Sequence, residues 1–211
     1  MRERMSIEPI REALALGKAA EVTQSVTLAL EQGVDASVIL NDGLCQAMGA
    51  LGERFRKGEV FVPQVLLAAR AMQKGLEVLK PHLVAAGVEP VGTAVIGTIR
   101  GDLHDIGKNL VGMMLEGAGF RVVDAGVGVT AATFVELART HGARIIGVSA
   151  LLTTTMVHMR EVVEAARSSG LDVRVMVGGA PLTQAFCDEI GAAGYAPDAA
   201  SAADLAKKLI A

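Results

Sequence analysis

The chain has 211 residues, of which 51% are hydrophobic, 20% charged and 3% aromatic, and its formal net charge is -3 at pH 7. This length can bury one or two substantial cores, yet no apolar stretch approaches the roughly 18 to 20 continuous residues of a membrane span. The acidic balance, with no Trp and a single Tyr, lacks the basic surface and stacking platform of a nucleic-acid binder. We therefore expect neither a membrane nor a nucleic-acid partner.

The N-terminus and the cysteines indicate a cytoplasmic protein. The first five residues have mixed charge and lack the apolar core and cleavage site of a secretory signal. Cys45 and Cys187 are too few for a disulfide framework, which favours a reducing compartment.

Up to about Gly87 the sequence is typical of amphipathic helices separated by glycines. The four expected helices begin, in chain order, near Ser6, Lys18, Asp35 and Pro63. The first three are expected to end at Gly17, Gly33 and Gly58. Helices with such short connections predict a four-helix bundle as an N-terminal domain over residues 1–88.

After Pro90 the pattern changes to short β-branched runs that alternate with helical ones. The predicted strands cover residues 93–99, 121–123, 144–148, 173–177 and 194–196. The predicted helices run from the first strand to about 117 and over 131–140, 155–168, 183–190 and 200–210. This alternation predicts an α/β domain over residues 91–211, a Rossmann/flavodoxin-like, doubly wound five-stranded parallel sheet.

Three turns that follow predicted strands carry glycine or hydroxyl groups, at residues 101–107, 149–155 and 178–183. Ligands of doubly wound sheets bind at the carboxyl ends of the strands. In the first turn Asp102, His104 and Gly107 form a D-x-H-x-x-G pattern. A metal-binding imidazole commonly has a carboxylate partner, and a glycine lets a bulky planar ligand approach the backbone. By itself, a D-x-H pattern is also typical of a capped turn.

This pattern, together with Ser149-Ala150-Leu151 and Gly178-Gly179, resembles the cobalamin-binding domain of corrinoid proteins. The resemblance implies that His104 is the lower ligand of cobalt, Asp102 its hydrogen-bond partner, and Ser149 a further member of that relay. These three are the expected catalytic residues, and His104 is the expected metal ligand. The remaining cofactor contacts that the resemblance implies on this domain are Asp105, Ile106, Gly107, Leu151, Thr153, Gly178, Gly179, Tyr195 and Asp198. Lys108 is compatible both with a phosphate of the cofactor's nucleotide tail and with a solvated position.

The segment from Gly58 to Met72 is similar to the helical cap domain of methyl-carrying corrinoid proteins. The resemblance implies that Phe61 and Leu66 touch the upper face of the cofactor. Apolar residues at helical spacing are also the ordinary core of a bundle, so spacing alone does not separate the two interpretations.

The resemblance implies a methyl carrier that holds cobalamin or a related corrinoid, methylated on cobalt as methylcobalamin. Its implied partners are a substrate:corrinoid methyltransferase, a methylcorrinoid:tetrahydrofolate or coenzyme M methyltransferase, and a reductive activase. A B12-dependent sensor shares the motif, although light-sensing members place a tryptophan in the cap and this chain has none. The cobalamin domain of a carbon-skeleton mutase and a flavodoxin-like module for another ligand also stay open.

Overall fold

The computed structural model describes residues 2–211, with side chains from residue 7 onward. The chain divides into two compact units. The first holds the residues up to Pro90 together with Gly117–Gly119, and the second holds Val91–Glu116 and Phe120–Ala211. Within the described chain, no helix combines the length and apolar character needed to cross a membrane.

The first unit is helical, as its glycine-punctuated pattern predicts. Its helices are α1 (Arg2–Ala15), α2 (Ala19–Glu31), α3 (Ala36–Val38), α4 (Gln46–Arg56) and α5 (Val62–Ala85), and a π-helical segment (Ile39–Cys45) joins α3 to α4. Because α3, the π-helical segment and α4 follow one another without a break, they form one continuous helix, and the unit has four such helices in its described part. Their apolar stripes face one another, and the side chains with at most 2% exposure include Ile10, Leu14, Val22, Leu44, Met48, Leu51, Val65, Met72 and Leu79.

The ends of these helices follow local chemistry with one exception. Asp35 caps α3 by accepting a hydrogen bond from Ser37 N at 2.7 Å, as its residue type predicts. The prediction that the first helix starts at Ser6 is wrong, because α1 begins at Arg2 and already includes Ser6. The Ser6 side chain, which was expected to form that cap, lies outside the described side chains.

The second unit is a five-stranded parallel sheet in the order β2-β1-β3-β4-β5, which confirms the predicted fold class. The strands are β1 (Thr93–Thr98), β2 (Arg121–Asp124), β3 (Ile145–Ser149), β4 (Arg174–Gly178) and β5 (Gly194–Ala196). The helices between and after them are α6 (Ile106–Gly117), α7 (Ala131–His141), α8 (Thr153–Met156), α9 (Met159–Ser168), α10 (Gln184–Ile190) and α11 (Ala199–Ile210). The single helix predicted over residues 155–168 is therefore two helices, α8 and α9.

The sheet order places the switch point of the topology between β1 and β3. The chain leaves β1 toward β2 on one side and continues from β3 toward β4 on the other, so a crevice opens at the carboxyl ends of the two central strands. In the register of this pair the last residues, Thr98 and Ser149, lie opposite each other. The loop after β1 and the turn after β3 consequently meet at one edge, where the candidate site lies.

Candidate functional site

Buried polar side chains mark one edge of the sheet unit. Among the described residues, the buried side chains that are polar or charged are Thr98, Asp102, Lys108 and Thr155. All four lie at or just beyond the carboxyl ends of the strands. Burial of polar groups is unfavourable unless they are hydrogen-bonded, and no buried side-chain nitrogen or oxygen in the described part lacks a partner. A group of buried polar side chains that are all hydrogen-bonded is typical of a functional site.

Asp102 is the centre of this edge, with no exposed surface. Its Oδ1 accepts hydrogen bonds from His104 Nδ1 at 2.6 Å and His104 N at 3.1 Å. Its Oδ2 accepts from Leu151 N at 2.8 Å, Leu152 N at 3.3 Å and Thr155 Oγ1 at 2.8 Å. Burial alone raises the pKa of Asp102, but the bonds from Leu151, His104 and Thr155 outweigh it and hold the pKa well below its usual range. Asp102 is therefore a carboxylate, able only to accept.

The charge of Asp102 sets the tautomer of His104. Because the carboxylate has no hydrogen, the 2.6 Å contact requires a hydrogen on His104 Nδ1. The neutral ring then carries its lone pair on Nε2, and the side chain is 53% exposed. His104 thus presents one free imidazole nitrogen toward solvent, oriented by an ionised partner, which is the arrangement that metal-ligating histidines use.

The relay behind Asp102 involves Thr155, whereas the sequence predicts Ser149. Ser149 Oγ lies 3.1 Å from Thr98 Oγ1 and does not reach the Asp102 carboxylate. Thr155, on α8, supplies the hydroxyl donor to Asp102 at 2.8 Å. The sequence carried a weak signal for Thr155, which is the third of three consecutive threonines after the S-x-L turn.

An apolar, open surface surrounds His104. Residues 103–107 are all exposed, and the two large apolar side chains among them, Leu103 and Ile106, are each 75% exposed. Leu151, also at this edge, is 44% exposed. A Cβ placed on Gly107, in the first turn of α6, would meet no atom within 4 Å. An exposed imidazole with a lone pair, an apolar rim and a glycine that leaves open space fit a large planar metal complex.

The turns after β3 and β4 approach each other at backbone distance. Gly179 has a φ of +135°, and a Cβ there would lie 1.9 Å from Ala150 O. A Cβ on Gly178 would lie 3.1 Å from Ala196 O. Only glycines allow the backbones to come this close, and Thr153 lies exposed at the start of α8 beside these turns.

Three other predicted cofactor contacts have structural partners of their own. Asp198 caps α11, with both carboxylate oxygens 2.8 Å from Ser201, one from its N and one from its Oγ. Tyr195, on β5, is half-buried and packs against the core of the sheet unit. Asp105 is exposed and accepts a hydrogen bond from Asn109 Nδ2 at 3.1 Å. Their contact with a cofactor stays a prediction.

Lys108 is neither solvated nor free to reach a phosphate. Its side chain is 4% exposed and pairs with the carboxylate of Asp124, at the end of β2. Asp124 also accepts a hydrogen bond from Gly126 N at 2.8 Å. The pair ties the first turn of α6 to the loop after β2, and a solvated position is excluded.

The two predicted cap contacts belong to the helical unit. Phe61, at the N-terminus of α5, is 66% exposed, and its backbone N donates to Gln64 Oε1 at 2.7 Å. Leu66 is half-buried on the same helix. A phenyl ring this exposed is not plain bundle core, whereas Leu66 contributes to the packing of its own unit.

Comparisons with known proteins match both halves of the chain. A family model described as B12 binding domain matches residues 92–204, and a second model with the same description matches residues 6–80. The chain is 38% identical to a corrinoid protein of Desulfitobacterium hafniense, over 97% of each chain. It is 45% identical to dimethylamine corrinoid protein 2 of Methanosarcina mazei, over 85% of this chain and 86% of that one. It also resembles a chain of the methanol:cobalamin methyltransferase complex from Methanosarcina barkeri, with a TM-score of 0.87, 31% identity, and coverage of 98% of this chain and 80% of that chain.

Proposed function

Since the chain belongs to the family of B12-binding corrinoid proteins, we propose that it carries a methyl group on the cobalt of its corrinoid between two methyltransferases. The first is specific for a methylated substrate, and the second methylates a one-carbon carrier, tetrahydrofolate or coenzyme M. A reductive activase restores the cofactor when it is oxidised. The chain's two cysteines are too few for a disulfide framework, which supports a reducing, cytoplasmic location.

The observation that carries this proposal is the Asp102–His104 pair. His104 Nε2 holds a lone pair that would bind the cobalt of the corrinoid, because Asp102 keeps the hydrogen on Nδ1. The bound corrinoid supplies a cobalt centre that accepts a methyl group and gives it up again. Everything else that we assign is done by the protein's own side chains.

Asp102 and Thr155 support both states of His104. When the imidazole ligates, the carboxylate strengthens it as a donor through the Nδ1 hydrogen. Were the imidazole released, Asp102 and Thr155 would keep its ring in place through the Nδ1 bond at 2.6 Å and the hydroxyl bond at 2.8 Å.

The apolar rim and the close turns have separate tasks in this proposal. Leu103, Ile106 and Leu151 cover the ring of the cofactor with apolar surface and keep water from the metal's lower side. Gly107 leaves room for the ring, and the turns of Ser149 and Gly179 flank the slot for the displaced nucleotide tail.

Methyl transfer is favoured over the sensor role by the names of the relatives. One relative is named for dimethylamine, a methylated amine, and the similar solved chain belongs to a methanol:cobalamin methyltransferase complex. We propose that a separate methyltransferase chooses the methyl donor, since the similar chain from Methanosarcina barkeri was solved within a methanol:cobalamin methyltransferase complex.

The test is reconstitution of the chain with hydroxocobalamin, followed by reduction and exposure to methyl iodide. We expect a tightly held corrinoid, a histidine-ligated absorption spectrum in the methylated form, and transfer of the methyl group when a partner methyltransferase and its carrier are added. His104→Ala should abolish the histidine-ligated spectrum, while His82→Ala, an exposed histidine of α5, should preserve it. Failure to retain corrinoid would refute the cofactor role, and retention without any transfer to or from a methyltransferase would favour the sensor.

A further inference from the structure

The hydroxyl of Thr98 touches the backbone of the proposed metal ligand. Thr98 is the last residue of β1 and has no exposed surface. Its Oγ1 donates to the carbonyl oxygen of His104 at 2.8 Å, and the same atom lies 3.1 Å from Ser149 Oγ. It is therefore a buried hydroxyl between the turn after β3 and the loop that carries His104.

Counting hydrogens gives each bond a direction. A hydroxyl has one hydrogen, and a backbone carbonyl can only accept, so the hydrogen of Thr98 is committed to His104 O. The 3.1 Å contact must then be a donation from Ser149 to Thr98. In this series of hydrogen bonds Ser149 is the terminal donor, so its hydrogen can turn to another acceptor. If it does, the bond from Thr98 Oγ1 to His104 O remains.

The backbone of Thr98 is fixed independently of its side chain. Its N donates to Gly126 O at 2.9 Å, and its carbonyl accepts from Val129 N at 2.9 Å. A change of side chain at this position leaves these bonds intact. The side-chain hydroxyl is therefore separable from the strand by a single substitution.

We infer that Thr98 is a positioning residue for His104, whereas Ser149 is not. Asp102 accepts from the ring Nδ1 and the backbone N–H of His104, and Thr98 donates to its backbone carbonyl. The residues that follow His104, as far as Gly107, are all exposed. The bonds with Asp102 and Thr98 are therefore the restraints that the structure shows on His104 itself. The inference rests on the proposed role of His104 as the cobalt ligand.

The substitution that isolates this bond is Thr98→Val. Valine keeps the β-branched shape and suits a strand, but it has no hydrogen to donate. Thr98→Ser restores the hydroxyl, and Ser149→Ala removes only the donor to Thr98. Thr93→Val, at the other end of the same strand, is the matched control for the Thr-to-Val change.

The first measurement uses the protein without cofactor, by amide hydrogen exchange at His104, whose N–H bonds Asp102 Oδ1 at 3.1 Å. We expect exchange about tenfold faster in Thr98→Val, since a tenfold change in an equilibrium matches the loss of roughly one hydrogen bond. We expect wild-type exchange in Thr98→Ser, Ser149→Ala and Thr93→Val. This measurement stands even if the chain binds no corrinoid.

The second measurement uses the hydroxocobalamin-loaded, methylated protein, where the fraction of histidine-ligated cobalt is read from the absorption spectrum. We expect the ligation equilibrium to fall about tenfold in Thr98→Val and to recover in Thr98→Ser. The inference is overturned if Thr98→Val matches the wild type in both measurements, if Thr98→Ser does not restore wild-type behaviour, if Thr93→Val reproduces the effect, or if Ser149→Ala speeds exchange at His104 as much in the protein without cofactor. A wild-type chain that binds no corrinoid would instead overturn the proposed function.

Discussion

Replacement of Asp102 by asparagine is expected to reverse the tautomer of His104. The amide has one oxygen and one NH2 group, so it can serve only one side of the carboxylate's hydrogen-bond network. Two backbone N–H groups, those of Leu151 and Leu152, donate to Oδ2 and cannot accept. One backbone N–H group, that of His104, donates to Oδ1. The oxygen should therefore face Leu151 and the NH2 group should face the His104 ring. Nδ1 must then accept, and the ring hydrogen moves to Nε2, where it blocks metal ligation.

The magnitude follows from the bonds that change. The bond from His104 N to a carboxylate is lost, at about 1.5 to 3 kcal/mol for a charged acceptor. The donors that remain face a neutral oxygen, which costs roughly a further 0.5 to 1 kcal/mol in total. We expect Asp102→Asn to lower the free energy of unfolding by about 2 to 4 kcal/mol and still to fold.

Nitrogen-15 NMR of the protein without cofactor distinguishes the two tautomers of His104, and denaturant unfolding gives the stability. The control is Asp35→Asn, the same substitution at a helix N-cap of the helical unit, where asparagine caps as well as aspartate. That control should leave the tautomer of His104 unchanged. A protonated Nδ1 in Asp102→Asn, or an undiminished histidine-ligated spectrum after loading with cobalamin, would show that the charge of Asp102 does not set the tautomer.

Four further outcomes are expected. Gly179→Ala should prevent folding or destabilise the sheet unit by more than about 3 kcal/mol, because its Cβ would lie 1.9 Å from a backbone oxygen at a φ of +135°; wild-type thermal unfolding would contradict this. Gly107→Ala, whose Cβ meets no atom, should unfold like the wild type but bind cobalamin more weakly in titration. The lowered pKa of Asp102 stabilises the fold above the ordinary aspartate range near pH 3.9, and this contribution is lost as the pH falls through the folded-state value. Thr155→Val, which removes one donor, should reduce that contribution by about 1 kcal/mol, measured as the stability lost between neutral pH and a pH well below the ordinary aspartate range. Burial raises the pKa of the Cys187 thiol, so alkylation at neutral pH should spare Cys187 until the protein is unfolded, and rapid labelling of the native chain would contradict its burial.

The predicted strands match the structure to within about one residue because the sequence marks their ends. β1 and β3 are continuous apolar runs, as expected for parallel strands covered on both faces, and both stop where Gly101 or the S-x-L turn begins. The break between α8 and α9 was not predicted, since the residues around it keep a helical pattern. Thr155, at the end of this pattern, bonds a carboxylate 53 residues earlier, and local periodicity does not report such a contact.

The π-helical segment left a trace in the sequence. In the continuous helix formed by α3, the π-helical segment and α4, the apolar residues Ile39 and Leu44 are five positions apart, and both side chains are fully buried. In an α-helix the residue five positions after a buried one points away from the core, whereas in a π-helical turn it points back toward the core. Arg11 completes the arrangement by donating to the carbonyl of Asp42 at 2.7 Å. The spacing was visible beforehand, but the partner on another helix was not.

The site residues show the same division. The sequence motif predicts the hydrogen bond between His104 and Asp102, which the structure contains, because both residues lie in one short loop. Thr98 and Thr155 were missed, and Ser149 was placed in the wrong contact, because the partner of each hydroxyl depends on how β1 and β3 are aligned. A pattern names the residues of a turn, but the register of the sheet decides which hydroxyl meets which acceptor.

The donors to Asp102 Oδ2 come from residues 49 to 53 positions later in the chain. A ribosome therefore delivers the histidine and its carboxylate well before the groups that ionise and orient them. Until β3 has been synthesised and has paired with β1, the nascent chain has the D-x-H-x-x-G sequence but lacks these donors to Asp102. The full hydrogen-bond network of Asp102 is thereby completed only in chains whose central strands have already paired.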